Sequence, residues 1–199
     1  MKDLWAEKVL PYAKSQTVLV VPNLTGEDKV EGSFELNAIV VVVDNQTGKI
    51  LQQYQESNSY FSDAMYLATF SIDTAPYLLS KGVRAFGIRV QFYGRSSNSY
   101  SEEMISLFVP EGTTLRRVLK DEMISTSSDE LNMDCNGQST TMHALILFET
   151  KTTKNYFNLV IKESTSKVVR QKIKGECNKI TEKSERKRTF RYNGEKYIE

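Results

Sequence analysis

The apolar residues of this chain come in short β-branched and aromatic runs, each cut off by a polar turn, and antiparallel β-structure satisfies that punctuation best. Residues 34–43 form one long apolar run that ends in Asp44-Asn45-Gln46-Thr47-Gly48, after which Ile50, Gln52 and Tyr54 alternate with polar neighbours as a hairpin partner does. Residues 104–109 and 115–124 flank Pro110-Glu111-Gly112-Thr113, whose proline and glycine supply turn chemistry. Residues 189–192 turn back through Asn193-Gly194 onto 196–198, and Asn-Gly is the strongest short hairpin signal. Further strands are expected at 17–21, ended by Pro22-Asn23, and at 65–72, stopped by Asp73-Thr74-Ala75-Pro76. Residues 83–93 read as a strand buried partly on both faces, and 141–150 and 157–162 as a pair joined across 151–156.

About ten strands and one helix candidate give an all-β, antiparallel sandwich or propeller-like domain; periodicity does not separate the two. The helix candidate is the N-terminal segment, residues 1–16, a short helix or an irregular arm, where Trp5, Val9 and Tyr12 recur at near-helical spacing around Pro11. With 199 residues, 40% of them hydrophobic, a single domain over 1–199 is expected. The longest apolar stretch, 38–43, is too short to cross a bilayer, so no transmembrane segment is expected. Met1-Lys2-Asp3-Leu4-Trp5 has no signal-peptide layout, and a leader is presumed to have been removed ahead of it.

The net charge of +1 argues against a general nucleic-acid binder. The charge is uneven: residues 162–199 hold 12 basic and 6 acidic side chains. Arg186-Lys187-Arg188 stands among Glu182, Glu185 and Glu195, the alternation of a solvated β-ribbon face.

Cys135 and Cys177 are the two cysteines, and each lies in a polar, turn-rich stretch rather than an apolar strand. Without CxxC spacing, and with His143 as the one histidine, a zinc site is not expected; a Cys135–Cys177 disulfide is. That bond places folding in an oxidising compartment, a periplasm or the cell exterior.

The parts of familiar active sites are missing from the sequence. His143 beside the run 144–148 reads as a strand residue held by local hydrogen bonds, not a general base. Glu102-Glu103 and Asp121-Glu122 are adjacent pairs, which on a strand point to opposite faces and do not converge. Neither GxGxxG nor GxxxxGK[ST] occurs. Residues 121–134 carry Asp129, Glu130 and Asp134 without the DxDxDG alternation of a calcium loop, and read as a solvated acidic loop. No catalytic residue, metal site or cofactor is therefore expected, and the chain reads as a binding protein.

The candidate binding element is Tyr93-Gly94-Arg95-Ser96-Ser97-Asn98-Ser99-Tyr100, where tyrosines flank adaptable hydrogen-bonding groups between two apolar strands. Residues 57–63 have a similar composition and are expected at the same end of the fold.

Ile72-Asp73-Thr74-Ala75-Pro76-Tyr77, Arg84-Ala85-Phe86-Gly87-Ile88-Arg89 and the cysteines near Tyr192-Asn193-Gly194 resemble uncharacterised bacterial exported proteins. Ser96-Ser97-Asn98-Ser99-Tyr100 is more loosely similar to the inserted SGxxY-like loop of periplasmic lysozyme inhibitors, with Ser97 in place of glycine. That resemblance implies a partner-binding set of Arg95, Ser96, Ser97, Asn98 and Tyr100, with Ser96 and Tyr100 reaching the catalytic carboxylates of a lysozyme-like hydrolase or toxin. It implies a periplasmic or secreted inhibitor or immunity protein. The alternatives are an envelope structural or adaptor domain pairing through a strand edge, and a carbohydrate-binding module.

Overall fold

The structure, a computed structural model, describes residues 4–56, 60–94, 99–131 and 135–199. Among these residues there are thirteen strands and no helix: β1 (Ala6–Leu10), β2 (Ala13–Asp28), β3 (Ser33–Asp44), β4 (Ile50–Gln55), β5 (Tyr60–Ser62), β6 (Met65–Ser80), β7 (Val83–Gly94), β8 (Ser99–Glu111), β9 (Thr114–Leu131), β10 (Gly137–Thr153), β11 (Tyr156–Ile173), β12 (Glu176–Tyr192) and β13 (Tyr197–Ile198). They join one open sheet in the order β1-β2-β3-β4-β9-β10-β11-β12-β13, with β5 added to β3 and with β8, β7 and β6 extending in turn from β9. The pairings are antiparallel apart from one parallel bridge, Gln53 to Thr114, between β4 and β9. Chain neighbours are mostly sheet neighbours, as short turns require.

The N-terminal arm is a hairpin, which corrects the expected helix. β1 pairs with β2 through Ala6↔Val20, Lys8↔Val18 and Val9↔Thr17, turning at Pro11-Tyr12. The residues behind the helical spacing, Trp5, Val9 and Tyr12, are 55%, 49% and 39% exposed, whereas Leu4 and Leu10 are at 4% and 2%. The true period is two: Ala6 and Leu10 face the core, and Lys8 between them sends its ammonium to the Ile72 carbonyl at 3.1 Å.

Several strands outrun the residues expected to stop them. β2 passes Pro22 because β1 reaches only as far as Val20, so proline sits where one edge has no ladder to break. β6 passes Pro76 through a register shift between Asp73 and Tyr77. The expected acidic loop is strand as far as Leu131.

Alternation along β7 sorts the core into two clusters. Phe86, Ile88, Val90 and Phe92 pack with Val18, Val20, Leu36 and Val40 of β2 and β3. Ala85, with Ile105, Leu107 and Val109 of β8, packs instead with Leu159, Ile161 and Phe190 of β11 and β12. β7 and β8 are thus a middle layer covered on both faces, as the near-continuous apolar run 83–93 implied. Gly87 permits the second contact, since a Cβ there would lie 2.7 Å from Ile105 Cδ1 and 3.2 Å from Asp73 Cβ.

A bulge in β9 divides core from periphery. Asp121 has φ 46°. Its carboxylate accepts from Ser106 Oγ at 2.9 Å, while its own N–H donates to that oxygen at 3.0 Å. Past a second irregularity at Glu103/Met104, residues 99–103, 125–129, 139–143, 164–168 and 181–185 align in unbroken rows. None of these residues belongs to either apolar cluster. The sheet therefore ends in a polar blade built from five strands.

Candidate partner-binding end of the sheet

Of the expected binding residues, Arg95, Ser96, Ser97 and Asn98 lie outside the described residues, and Tyr100 lies on β8 in the blade. The connection they belong to leaves β7 at Gly94 and enters β8 at Ser99, at the blade's tip. A Cβ on Gly94 would come within 3.2 Å of the Tyr100 Cβ, so the glycine permits the close approach of the two strands there. The Tyr100 hydroxyl donates to Glu102 Oε2 at 2.9 Å, two residues along the same face. Partial burial and this carboxylate both push its ionisation up, so at neutral pH it is a protonated donor.

The disulfide closes the same end. Cys135 and Cys177 have Cα atoms 5.8 Å apart, within bonding reach. Cys177 pairs with Lys172 on one side of β11, and the Lys172 N–H donates to Asn136 Oδ1 on the other, at 3.3 Å. The bond thus ties the entry of β10 to β12 across the end of β11. Cys135 adopts φ 60°, and the adjoining β11–β12 turn is made by Lys174 and Gly175 at φ 52° and 90°.

Residues directly opposite in the ladder share a face, so the pairings give rows of side chains. One row is Ser101, Ser127, Thr141 and Ser166; the adjacent row on the same face is Glu103, Ser125, His143 and Ser164. His143 Nδ1 is 3.2 Å from Ser125 Oγ. A serine–histidine–carboxylate triad places the carboxylate on the far side of the imidazole from the hydroxyl. Here the hydroxyl stands between imidazole and carboxylate, and Glu103 is ion-paired to Arg89 at 3.3 Å. The adjacent carboxylates diverge as alternation requires: Glu102 meets Tyr100 and Glu103 meets Arg89, while Asp121 meets Ser106 and Glu122 meets Arg188. Among the described residues no three His, Cys, Asp or Glu side chains are grouped to hold a metal ion. Of the acidic segment, Glu130 accepts from Gln138 at 3.2 Å, and Asp134 lies outside the described residues.

Of the second aromatic stretch, residues 57–59 lie outside the described residues. Tyr60 is not displayed for binding: it packs edge-on against Phe70, with 5.1 Å between centroids. Phe61 beside it is exposed.

Two polar networks were not read from the sequence. Asp73 Oδ2 accepts from Arg89 Nη2 at 2.6 Å and from the Tyr77 hydroxyl at 2.7 Å, while Asp73 Oδ1 accepts from the Ala75 N–H at 2.8 Å. The segments 72–77 and 84–89, separate as sequence motifs, thus form one lock across the β6 bulge. Arg188, inside the basic run, gathers Glu122, Glu163 and Glu199. Its only sequence signal was an arginine within an alternating-charge ribbon.

A groove of about 380 Å³ opens at the opposite end of the sheet, lined by Tyr12, Arg84, Glu111, Arg116 and Tyr156 among others. Its cations already have partners: Arg84 stacks on Tyr12 at 3.9 Å and donates to the Thr74 carbonyl, and Arg116 pairs with Glu111 at 3.1 Å. Among the described residues no helix is long and apolar enough to cross a membrane. Fold and bonding define an all-β chain with one disulfide-bonded cysteine pair. In comparisons with known proteins, no family model, no curated protein and no solved structure matches it.

Proposed function

We propose that this chain is a non-enzymatic periplasmic or secreted binding protein that uses Tyr100, in the polar blade, together with the sequence segment 95–98 that precedes it, to occlude the active site of a lysozyme-like peptidoglycan hydrolase or toxin. The observation that carries the reading is the Tyr100 hydroxyl donating to a carboxylate, Glu102, at the edge of a disulfide-tied tip. A hydrolase that cleaves glycans with paired carboxylates offers the same acceptor. Exchanging an internal carboxylate for a partner's keeps the hydroxyl bonded in both states, so its desolvation is not left uncompensated. The disulfide supports the oxidising compartment in which such targets act.

The test is inhibition of a lysozyme-like hydrolase by the wild type and by Tyr100→Phe, which removes the donor and keeps the ring. A weakening of about tenfold is expected, about 1.4 kcal/mol for one charge-assisted hydrogen bond. Equal inhibition by both proteins removes Tyr100 from the mechanism. Retention of the chain on purified peptidoglycan without any hydrolase would favour carbohydrate binding by the hydroxyl-rich face instead.

A further inference from the structure

The outer edge of β12 has an unusual charge order. β11 covers one edge of this strand from Glu176 to Phe190, while β13 pairs only with Arg191 and Tyr192. Among the described residues nothing pairs with the other edge before those two. Residues 176–187 are exposed throughout. A long open edge is a template for another strand, and proteins commonly block it with charge of one sign. Here both signs are mixed: Lys179, Glu182, Lys183, Glu185 and Arg186 alternate, and Lys187 and Arg188 extend the basic end.

A two-fold axis normal to the sheet requires the antiparallel partner to place one residue opposite its own copy, which leaves few registers to consider. Centred on Lys183, Glu185 or Arg186, the pairing sets a charge against itself on the axis; Glu182 does the same, and Thr181 sets Lys179 against Lys183. Centred on Ser184, it sets Lys183 against Glu185, Glu182 against Arg186, Thr181 against Lys187 and Lys179 against Thr189. No like charges then meet, and the symmetry makes four opposite-charge pairs, two on each face. We infer that this chain forms a homodimer by antiparallel pairing of its β12 edges about Ser184, continuing the sheet from one copy into the next. The partner is a second copy because the charge order of β12 is complementary to itself in this register.

Sedimentation equilibrium of the full chain tests the inference. The expected mass is twice 22.7 kDa, falling back toward the monomer as salt screens the pairs. Glu185→Lys alone sets like charges face to face at two symmetry-related places, and at least a tenfold weaker dimer is expected. The swap Lys183→Glu/Glu185→Lys restores opposite charges and the wild-type affinity. Ser184→Cys places two thiols directly opposite across the axis, within disulfide reach, and an interchain cross-link is expected; Lys183→Cys, two positions out of register with its own copy, gives none. A wild type that stays monomeric at high concentration overturns the inference. So does a dimer indifferent to Glu185→Lys, or one that cross-links through Lys183→Cys and not Ser184→Cys. A circular dichroism spectrum unchanged by the substitutions separates loss of pairing from loss of fold.

Discussion

Replacing Arg188 with methionine should be among the costlier single changes in this chain, and the geometry says why. Its Nε reaches Glu163 Oε1 at 2.7 Å, its Nη2 reaches Glu122 Oε2 at 2.8 Å, and its Nη1 reaches Glu199 Oε2 at 3.3 Å. The Arg188, Glu122 and Glu163 side chains are only 13%, 18% and 15% exposed, at the boundary of the apolar cluster that holds Phe190. Burial opposes the guanidinium's charge, but hydrogen bonds to Glu122 and Glu163 outweigh it and raise its pKa, so it stays charged. Methionine keeps most of the volume and strands two carboxylates in a poorly hydrated seam. Breaking such a pair costs about 3–5 kcal/mol, to which the exposed Glu199 contact adds at most about 1. For a chain of this length the Tm should fall by roughly 6–20 °C. Urea unfolding at neutral pH measures the loss directly. Arg188→Met/Glu122→Gln/Glu163→Gln, which removes the stranded charges, should recover at least half of it. A loss under about 1 kcal/mol, or a triple variant no more stable than the single, would refute the argument that unpaired carboxylates carry the cost.

Two further predictions concern the β6 lock and the blade. Burial raises the Asp73 carboxyl's pKa, but the Tyr77 hydroxyl, the Ala75 N–H and Arg89 together hold it below its ordinary 3.8. A folded pKa below the unfolded one means stability that is fully present above about pH 5 and is lost as pH falls through the folded value. Asp73→Asn should therefore destabilise the protein at neutral pH and flatten the dependence of the urea midpoint on pH below about 4, and an unchanged acid limb would count against the lock. Removing the disulfide with Cys135→Ser/Cys177→Ser opens a sequence separation of 42 residues, worth up to about 4 kcal/mol in the chain-entropy account. Loss of hydrogen-exchange protection should concentrate at the blade's tip around 137–141 and 168–180, while two titratable thiols in unfolded, non-reduced wild type would show that no bond had formed.

Turn chemistry and β-branched runs made most of the strands legible. Pro110-Glu111-Gly112-Thr113 does join two strands, with Gly112 at φ 59°, and Asn193-Gly194 does reverse the chain, with Gly194 at φ 109°. The cysteine pairing followed from composition and context. The blade was read poorly, because Ser125, Thr126, Ser127 and Ser128, or Ser164, Thr165 and Ser166, carry no apolar alternation to betray a strand. Only pairing with neighbours orders such segments. The N-terminal arm failed for the converse reason: its Trp5, Val9 and Tyr12 imitate a helical stripe, yet none of them is in the core and the buried positions follow the strand period.

At the candidate site the sequence paired the two cysteines and singled out Tyr100, but gave Tyr100 no partner within the chain. The Tyr100–Glu102 bond follows from strand alternation once the segment is strand, whereas that Asp73 meets Arg89 and that Arg188 collects three carboxylates are facts of register, set where bulges at Asp121 and at 73–77 shift one strand against the next. By itself the sequence determined an all-β chain punctuated by turns, with its cysteines suited to one bond, because backbone propensity and turn geometry act within a few residues. Only the tertiary structure decided which strands pair and which polar groups meet, because ladder hydrogen bonds and burial join residues that the chain keeps far apart.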